Sequence, residues 1–384
     1  MLISGASVAG PALAYWLGRH GFHPTVVERA PALRGGGYAV DFRGDTHLTV
    51  LERTGILADL RALETGGTPM TFVDEGGRAL LRLPGEFAGG DIEVLRSDLS
   101  RVLYEHSHDS TEYVFGDSIA TLTETAGCVE VTFTQGAPRT FDLVIGADGM
   151  HSAVRRIAFG PEARFVSHLG YHVAGWDLPA GDDLGADTLA YNVPGRLASI
   201  GRSEREPSRA SAFMVFASEQ RAHDPHDARR LIEDAYAGLG WRVPELIASL
   251  GQAEDLYFDA IARVDVAPWS RGRIALVGDA ACGATLGGMG TGTALVAAYV
   301  LAGELARGGD AFTRYETALR DYARRCQKGG DRAGRFLAPK RGLGARIRNR
   351  MLRSPRVLEL MLKEGRKVTA RIDLPEYEVA CETA

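Results

Sequence analysis

The chain has 384 residues, 45% of them hydrophobic and 24% charged, which is enough apolar content for two domains or one large domain carrying an insertion. A formal net charge of −5 argues against nucleic acid or an anionic membrane as the main partner. No apolar stretch reaches the ~20 residues that span a bilayer, no basic segment precedes the first apolar run, and Cys128, Cys282, Cys326 and Cys381 show no paired spacing; a cytoplasmic chain without a thiolate metal site is expected.

The first thirty residues read as strand, turn, helix and strand. Leu2 and Ile3 enter a turn of small residues from Gly5 to Gly10, an alanine- and leucine-rich helix follows, and Thr25-Val26-Val27 ends on Glu28. Gly5 permits the tight turn, Ser7 stands where backbone must approach a pyrophosphate, and Gly10 lets the helix pack on the strand. The helix N-terminus offers N–H groups to phosphates and Glu28 offers a carboxylate to ribose hydroxyls. This is a dinucleotide-binding pattern that leaves NAD and FAD both open.

Three glycines, Gly35 to Gly37, precede an alternating Tyr38, Val40 and Phe42, so a strand after a loop is expected there. Residues 45–64 carry leucines at helical spacing, residues 70–95 read as strands, and Ser97 is a credible N-cap for the helix that follows Arg96. A strand meander runs from Tyr113 to Thr140. A buried strand then breaks at Gly146-Ala-Asp148-Gly149, with Ser152 and Arg155 opening a helix.

Residues 161–262 alternate strand-like runs with Gly, Pro and Asp, and contain one helix-like stretch at 228–239. That is the pattern of an antiparallel sheet with a covering helix. His223 and His226 fall in a polar stretch that reads as a loop; no metal site is expected. A second buried strand ends at Gly278-Asp279, and the glycine-dense stretch 283–292 runs into the helix beginning near Ala294. Residues 335–371 are basic and helical, with Leu352, Val357, Leu358, Leu360, Met361 and Leu362 on an apolar side. They are expected to lie along the body with their charges in water.

Three motifs in this order, Gly5-x-Ser7-x-x-Gly10 with Glu28, Gly146-Ala-Asp148-Gly149 with Ser152 and Arg155, and Gly278-Asp279 with its glycine loop, give the chain a resemblance. It resembles the single-component FAD-dependent aromatic hydroxylases of the para-hydroxybenzoate hydroxylase fold, in the branch of tetracycline-inactivating monooxygenases. The resemblance runs to the closing Leu374-Pro375-Glu376-Tyr377. It implies an α/β fold with an α+β insertion: a Rossmann-like FAD-binding domain (1–70, 92–160 and 263–330), an antiparallel-sheet substrate domain (71–91 and 161–262) and a C-terminal helical segment (331–384).

It further implies that Gly5, Ser7, Gly10, Glu28 and Arg29 hold the ADP half of FAD and that Asp41 and Arg96 contact its flavin side. Asp148 and Arg155 would serve pyrophosphate and NADPH, Asp279 the ribityl chain, and Gly288, Met289 and Gly290 the ring. Arg34 is a candidate for the nicotinamide co-substrate. NADPH or NADH would reduce the flavin and O₂ would supply one oxygen to an aromatic or enolic polycyclic molecule, polyketide- or tetracycline-like, in a monomer or weak homodimer that binds neither nucleic acid nor membrane.

Candidates for the substrate side are Tyr171, Trp176, Tyr191, Met214, Phe216 and Phe258, with His172 the residue suited by pKa to deprotonate a phenol. Each also reads as ordinary core. The stretch Cys282-Gly-Ala-Thr285 lacks the prolines usual among relatives, so a mobile flavin-side loop is expected. That softening motivates an alternative in which the flavin fold acts as a cyclase or drug-sequestering scaffold. An NAD-dependent dehydrogenase is a further alternative, which leaves the second and third motifs unexplained.

Overall fold

The computed structural model describes residues 1–33, 35, 39–178, 185–202, 210–219, 225–253, 256–287, 289–369 and 372–378. Arg34, Gly36, Gly37, Tyr38, His223 and Gly288 lie outside the described residues.

In chain order, β1 (Leu2–Ser4), α1 (Ala9–Arg19) and β2 (Thr25–Glu28) form the N-terminal unit. β3 (Ala39–Phe42) leads into α2 (Gly44–Thr54) and α3 (Leu57–Ala62), which are separate helices because Gly55 takes a φ of +81° and ends the first one. β4 (Met70–Val73), β5 (Ala79–Leu83), α4 (Glu86–Gly89) and β6 (Ile92–Leu95) follow, and then α5 (Arg96–Ser107). Ser97 lies inside α5 rather than capping it, since Leu95 is the extended residue at its start. β7 (Glu112–Phe115) is followed by the meander β8 (Ile119–Glu124), β9 (Val129–Phe133) and β10 (Arg139–Phe141), then by β11 (Val144–Gly146) and α6 (Ala153–Ala158).

The second half begins with the long β12 (Val166–Leu178), β13 (Thr188–Val193), β14 (Arg196–Arg202) and β15 (Ala210–Ala217). Two helices, α7 (Pro225–Tyr236) and α8 (Val243–Leu250), precede β16 (Tyr257–Val264) where the sequence showed one. Pro244 hid the second: it sits in the first turn of α8, where its missing N–H costs no helical hydrogen bond. The chain closes with β17 (Ser270–Arg271), β18 (Ile274–Leu276), α9 (Asp279–Cys282), α10 (Gly290–Arg307), α11 (Ala311–Leu337), α12 (Gly342–Leu352) and α13 (Pro355–Thr369).

One sheet has the strand order β17-β18-β11-β1-β2-β7, with β18, β11, β1, β2 and β7 parallel. Leu2, Ile3, Val144, Ile145, Ala275 and Leu276 are fully buried, as strands covered on both faces require. α10 supplies much of that cover, being apolar all round from Ala294 to Ala302 and buried throughout, and packs against α1. The chain places β2 on one side of β1 and later returns to place β11 on the other, so ligands belong in the crevice beyond the C-terminal ends of these strands.

The second sheet has seven strands, β16-β12-β15-β14-β13-β4-β5. Its alternating side chains split into two cores. One face carries Ala174, Trp176, Tyr191, Met214 and Phe216 against Leu231, Ile232 and Tyr236 of α7 and Leu246 and Leu250 of α8. The other carries Phe72, Tyr171, Val173, Leu197, Val215 and Ile261, with Leu286, Phe336 and Leu352 packed on it. Of the apolar side expected on the basic helices, Leu352 is buried and Val357, Leu358 and Leu362 are half-buried, while Leu360 and Met361 are exposed.

Candidate active site

Every strand-end motif opens on the same crevice. After β1 the chain turns at Gly5, whose φ of +106° favours glycine, and a Cβ at Gly10 would fall 1.9 Å from the Gly5 carbonyl oxygen. The turn therefore closes only with glycine at both places. α1 starts with no side-chain cap and no carboxylate in its first turn, which leaves its positive end uncompensated. Glu28 accepts the Ala6 N–H at 2.9 Å and the Ala30 N–H at 3.0 Å. These two bonds fix the carboxylate beside the turn and leave acceptor sites for two hydroxyls. Arg29 follows it and is exposed at the exit from β2.

Ser7, at the middle position of the fingerprint, has an unforeseen role. Its Oγ accepts a hydrogen bond from the Arg96 guanidinium at 3.0 Å, and its carbonyl accepts one from Ser100 Oγ at 2.5 Å. The turn is thereby tied to the start of α5, and Arg96 is held over the crevice. On its far side stands Asp279, at the exit from β18. Partial burial pushes the Asp279 carboxyl upward, Arg96 pulls it down and Asp259 adds to the rise. Opposite charges thus face each other where a long polar ligand would lie. Beyond Asp279, α10 opens at Gly290 with no side-chain cap and no carboxylate in its first turn; Met289 precedes it with a φ of +53°. A Cβ at Gly290 would lie 2.9 Å from Asp279 Oδ1.

Asp148 and Arg155 are brought to the crevice in a different capacity. Asp148 accepts the N–H groups of Ala153 and Val154 at 2.8 and 3.1 Å and the Ser152 hydroxyl, so its carboxylate caps α6. Arg155 has no solvent exposure; it donates to the carbonyls of Ala280 at 3.0 Å and Met150 at 2.5 Å and lies 3.7 Å from Glu162. It ties the loop after β11 to α9, just beyond β18. Nearby, His151 lies 3.1 Å from Glu162 and 3.3 Å from Asp259, and its hydrogen bond with Asp259 is the main reason that its pKa rises to about 9. Asp41 on β3 is paired with Arg43, which also reaches the Phe87 carbonyl at 3.1 Å.

His47 escaped the sequence reading, since a lone histidine early in a helix carries no motif. It is buried; Nδ1 accepts the Arg43 N–H at 3.2 Å and Nε2 lies 2.8 Å from the Tyr322 hydroxyl. A ring nitrogen that accepts on one side donates on the other, which assigns the Nε2–H tautomer. Burial pushes its pKa down to about 4. The ring fills the space beside Gly292, where a Cβ would meet it at 2.2 Å. It thereby supports the first turn of α10 from beneath.

The start of the glycine loop, from Cys282 to Thr285, is hydrogen-bonded to β16 and α11. The Thr285 N–H donates to the Ala262 carbonyl at 3.1 Å, its hydroxyl donates to the Ala260 carbonyl at 2.8 Å, and Gln327 donates to the carbonyls of Val264 and Cys282.

Of the substrate-side candidates, Tyr171 lies on the sheet face that the loop touches through Leu286, with its ring against Gly334 and beneath Lys340. Phe87 and Phe336, stacked at 5.8 Å, line the same side and were not foreseen. Trp176, Tyr191, Met214 and Phe216 are on the opposite face under α7 and α8, and Phe258 packs against that core; alternation along the strands sends them there. Trp176 donates its indole N–H to Ser249 at 2.9 Å. His172 is on that face too, stacked 5.5 Å from Phe216 and 5.1 Å from Phe258 and buried. A groove of about 570 Å³ beside Met1, His23 and Arg139 opens at the other ends of β1 and β2, away from the motifs.

The residues fit FAD: two helix N-termini without a side-chain cap among the described residues, a carboxylate with spare acceptors and an Arg96–Asp279 span line one crevice. A family model described as an FAD binding domain matches residues 1–333. A flavin-dependent monooxygenase of Legionella longbeachae is 35% identical over 391 residues, covering 98% of both chains. The Mycobacterium tuberculosis protein Rv1260 is 42% identical over 346 residues, covering 85% of this chain and 91% of its own. The crystal structure of tetracycline destructase Tet(55) superposes with a TM-score of 0.85 at 34% identity, covering 98% of each chain. The crevice and these matches agree, and the chain belongs to the FAD-binding family of flavin-dependent monooxygenases.

Proposed function

We infer that the protein is an NAD(P)H-dependent monooxygenase that adds one oxygen atom to an aromatic or enolic ring of a polycyclic, tetracycline- or polyketide-like molecule. The observation that carries this reading is the meeting of Ser7, Glu28, Arg96, Asp279 and the start of α10 in one crevice, with the apolar sheet face of Tyr171, Val173, Leu197 and Val215 beside the glycine loop. Bound FAD supplies the redox and oxygen chemistry.

The chain's own residues bind, orient and exclude water. Glu28 would take the ribose hydroxyls, the α1 N-terminus the pyrophosphate, and Asp279 with Arg96 the polyol and the edge of the ring system. The α10 N-terminus offers backbone N–H groups and a positive dipole end that would favour negative charge on a ring held there. Leu286, Phe87 and Phe336 give a flat substrate an apolar, aromatic surface that keeps water away. His172, on the far face of the sheet, has no part in this reading, and Arg155 acts as a positioning residue that holds two crevice loops in register.

The similarity to a tetracycline destructase supports a tetracycline-like scaffold for the substrate. The test is to screen tetracyclines and aromatic polyketides for stimulated NADPH and NADH oxidation with oxygen uptake. A substrate that speeds both and gains one oxygen supports the reading. Conversion with neither NAD(P)H oxidation nor oxygen uptake would replace it with a cyclase built on the same fold.

A further inference from the structure

α12 turns an unusual face to solvent. Leu343, Ile347 and Met351, spaced i, i+4 and i+8, are 67%, 50% and 52% exposed, and Leu360 of the next helix, α13, is exposed too. Helical spacing puts the three α12 side chains on one stripe, with the exposed Arg346 and Arg350 along its edge. Neither arginine has an ion-pair partner among the described residues. From Lys340 to Lys363 the chain carries eight basic side chains against the single carboxylate of Glu359, although its net charge is −5.

The stripe is not a loosely held end. On the opposite side of α12, Arg348 is buried, lies 4.4 Å from the centre of the Phe72 ring, and donates to the carbonyl of Phe336 at 2.6 Å and to the side-chain oxygen of Asn192 at 2.9 Å. Leu352 is buried beside it. The body therefore fixes which face of α12 looks outward, and that face is apolar and cationic together.

We propose that α12 and the start of α13 form an interfacial membrane-binding element that docks on anionic phospholipid. Leu343, Ile347, Met351 and Leu360 enter the acyl boundary, and Arg346, Arg350 and Arg356 meet the phosphates. An exposed apolar row edged by arginines is the pattern of a helix lying in the headgroup plane, and no helix among the described residues is long and apolar enough to cross a membrane. A second copy of this chain is a poorer occupant, because a two-fold contact would set one arginine row against another with few carboxylates to answer it. This surface of an otherwise acidic chain suits a negatively charged, partly apolar plane.

The test is flotation of the FAD-loaded, full-length chain with vesicles of phosphatidylcholine containing about one-third phosphatidylglycerol, compared with pure phosphatidylcholine. Binding to the anionic vesicles that weakens with salt is expected. The triple variant L343E/I347E/M351E and the charge variant R346E/R350E should each lower it at least about tenfold with melting temperature and flavin content unchanged. If the triple variant does not fold, the charge variant carries the test. No flotation, equal binding to both vesicles, or unchanged binding by the variants would overturn the proposal. So would a wild-type dimer in light scattering that the variants make monomeric without any vesicle binding.

Discussion

At single residues, the crevice depends on a few side chains whose neighbours leave little room for exchange. Glu28→Ala removes the acceptor beside the glycine turn while leaving the fold's core untouched. A loss of FAD affinity of about ten- to a hundredfold is expected by flavin fluorescence titration, in line with a charge-assisted hydrogen bond pair of about 1.5–3 kcal/mol. Gly292→Ala forces a methyl into the His47 ring, which is bonded at both nitrogens and has nowhere to go. Denaturant unfolding should show a loss of about 1–3 kcal/mol, whereas Gly127→Ala, in open space, should stay within about 0.5 kcal/mol. Equal effects of the two substitutions would show that His47 does not brace α10. Arg155→Met should cost about 3 kcal/mol, because it strands the carbonyls of Ala280 and Met150.

Among elements, α10 and its supports decide how the crevice is shaped. His47 is neutral in the folded protein, with a pKa near 4, and its unfolded value is about 6.5. Between those values the unfolded chain binds the extra proton, so stability is full above about pH 6.5 and falls as pH drops toward 4, by up to about 3 kcal/mol from this group. His47→Gln should flatten that part of a stability-versus-pH curve; an unaltered curve would mean that another group titrates there. The elements that carry motifs were the legible ones: a strand running into glycine and ending in an acid has one structural reading. Less was visible where the signal lay in partners far along the chain. Nothing around His47 announces Tyr322, and nothing around Thr285 announces the carbonyls of Ala260 and Ala262 that hold the loop. Asp148 shows the same limit, since a carboxylate after a strand reads alike whether it meets a ligand or caps the next helix. Trp176, Met214 and Phe216 looked like pocket residues because period-two alternation marks two faces without saying which one a helix will cover.

For the whole molecule, the two sheets meet so that the crevice beyond β1, β11 and β18 opens beside one face of the second sheet, while α7 and α8 seal the other. The order of three cofactor motifs made this architecture readable, because each is local in sequence and all end parallel strands of one sheet. Which aromatic residues share the sheet face beside the glycine loop depended on how α11 and α12 fold back, and no local pattern carries that information. This arrangement is suited to insert oxygen from O₂ into a polycyclic substrate. The direct measurement is turnover of a substrate identified by stimulated NADPH oxidation, run under ¹⁸O₂, with the product mass read out. Product carrying one labelled oxygen, formed only with both FAD and the nicotinamide, is expected; product without label, or formed at the same rate by flavin-free protein, would rule out oxygen insertion at this crevice.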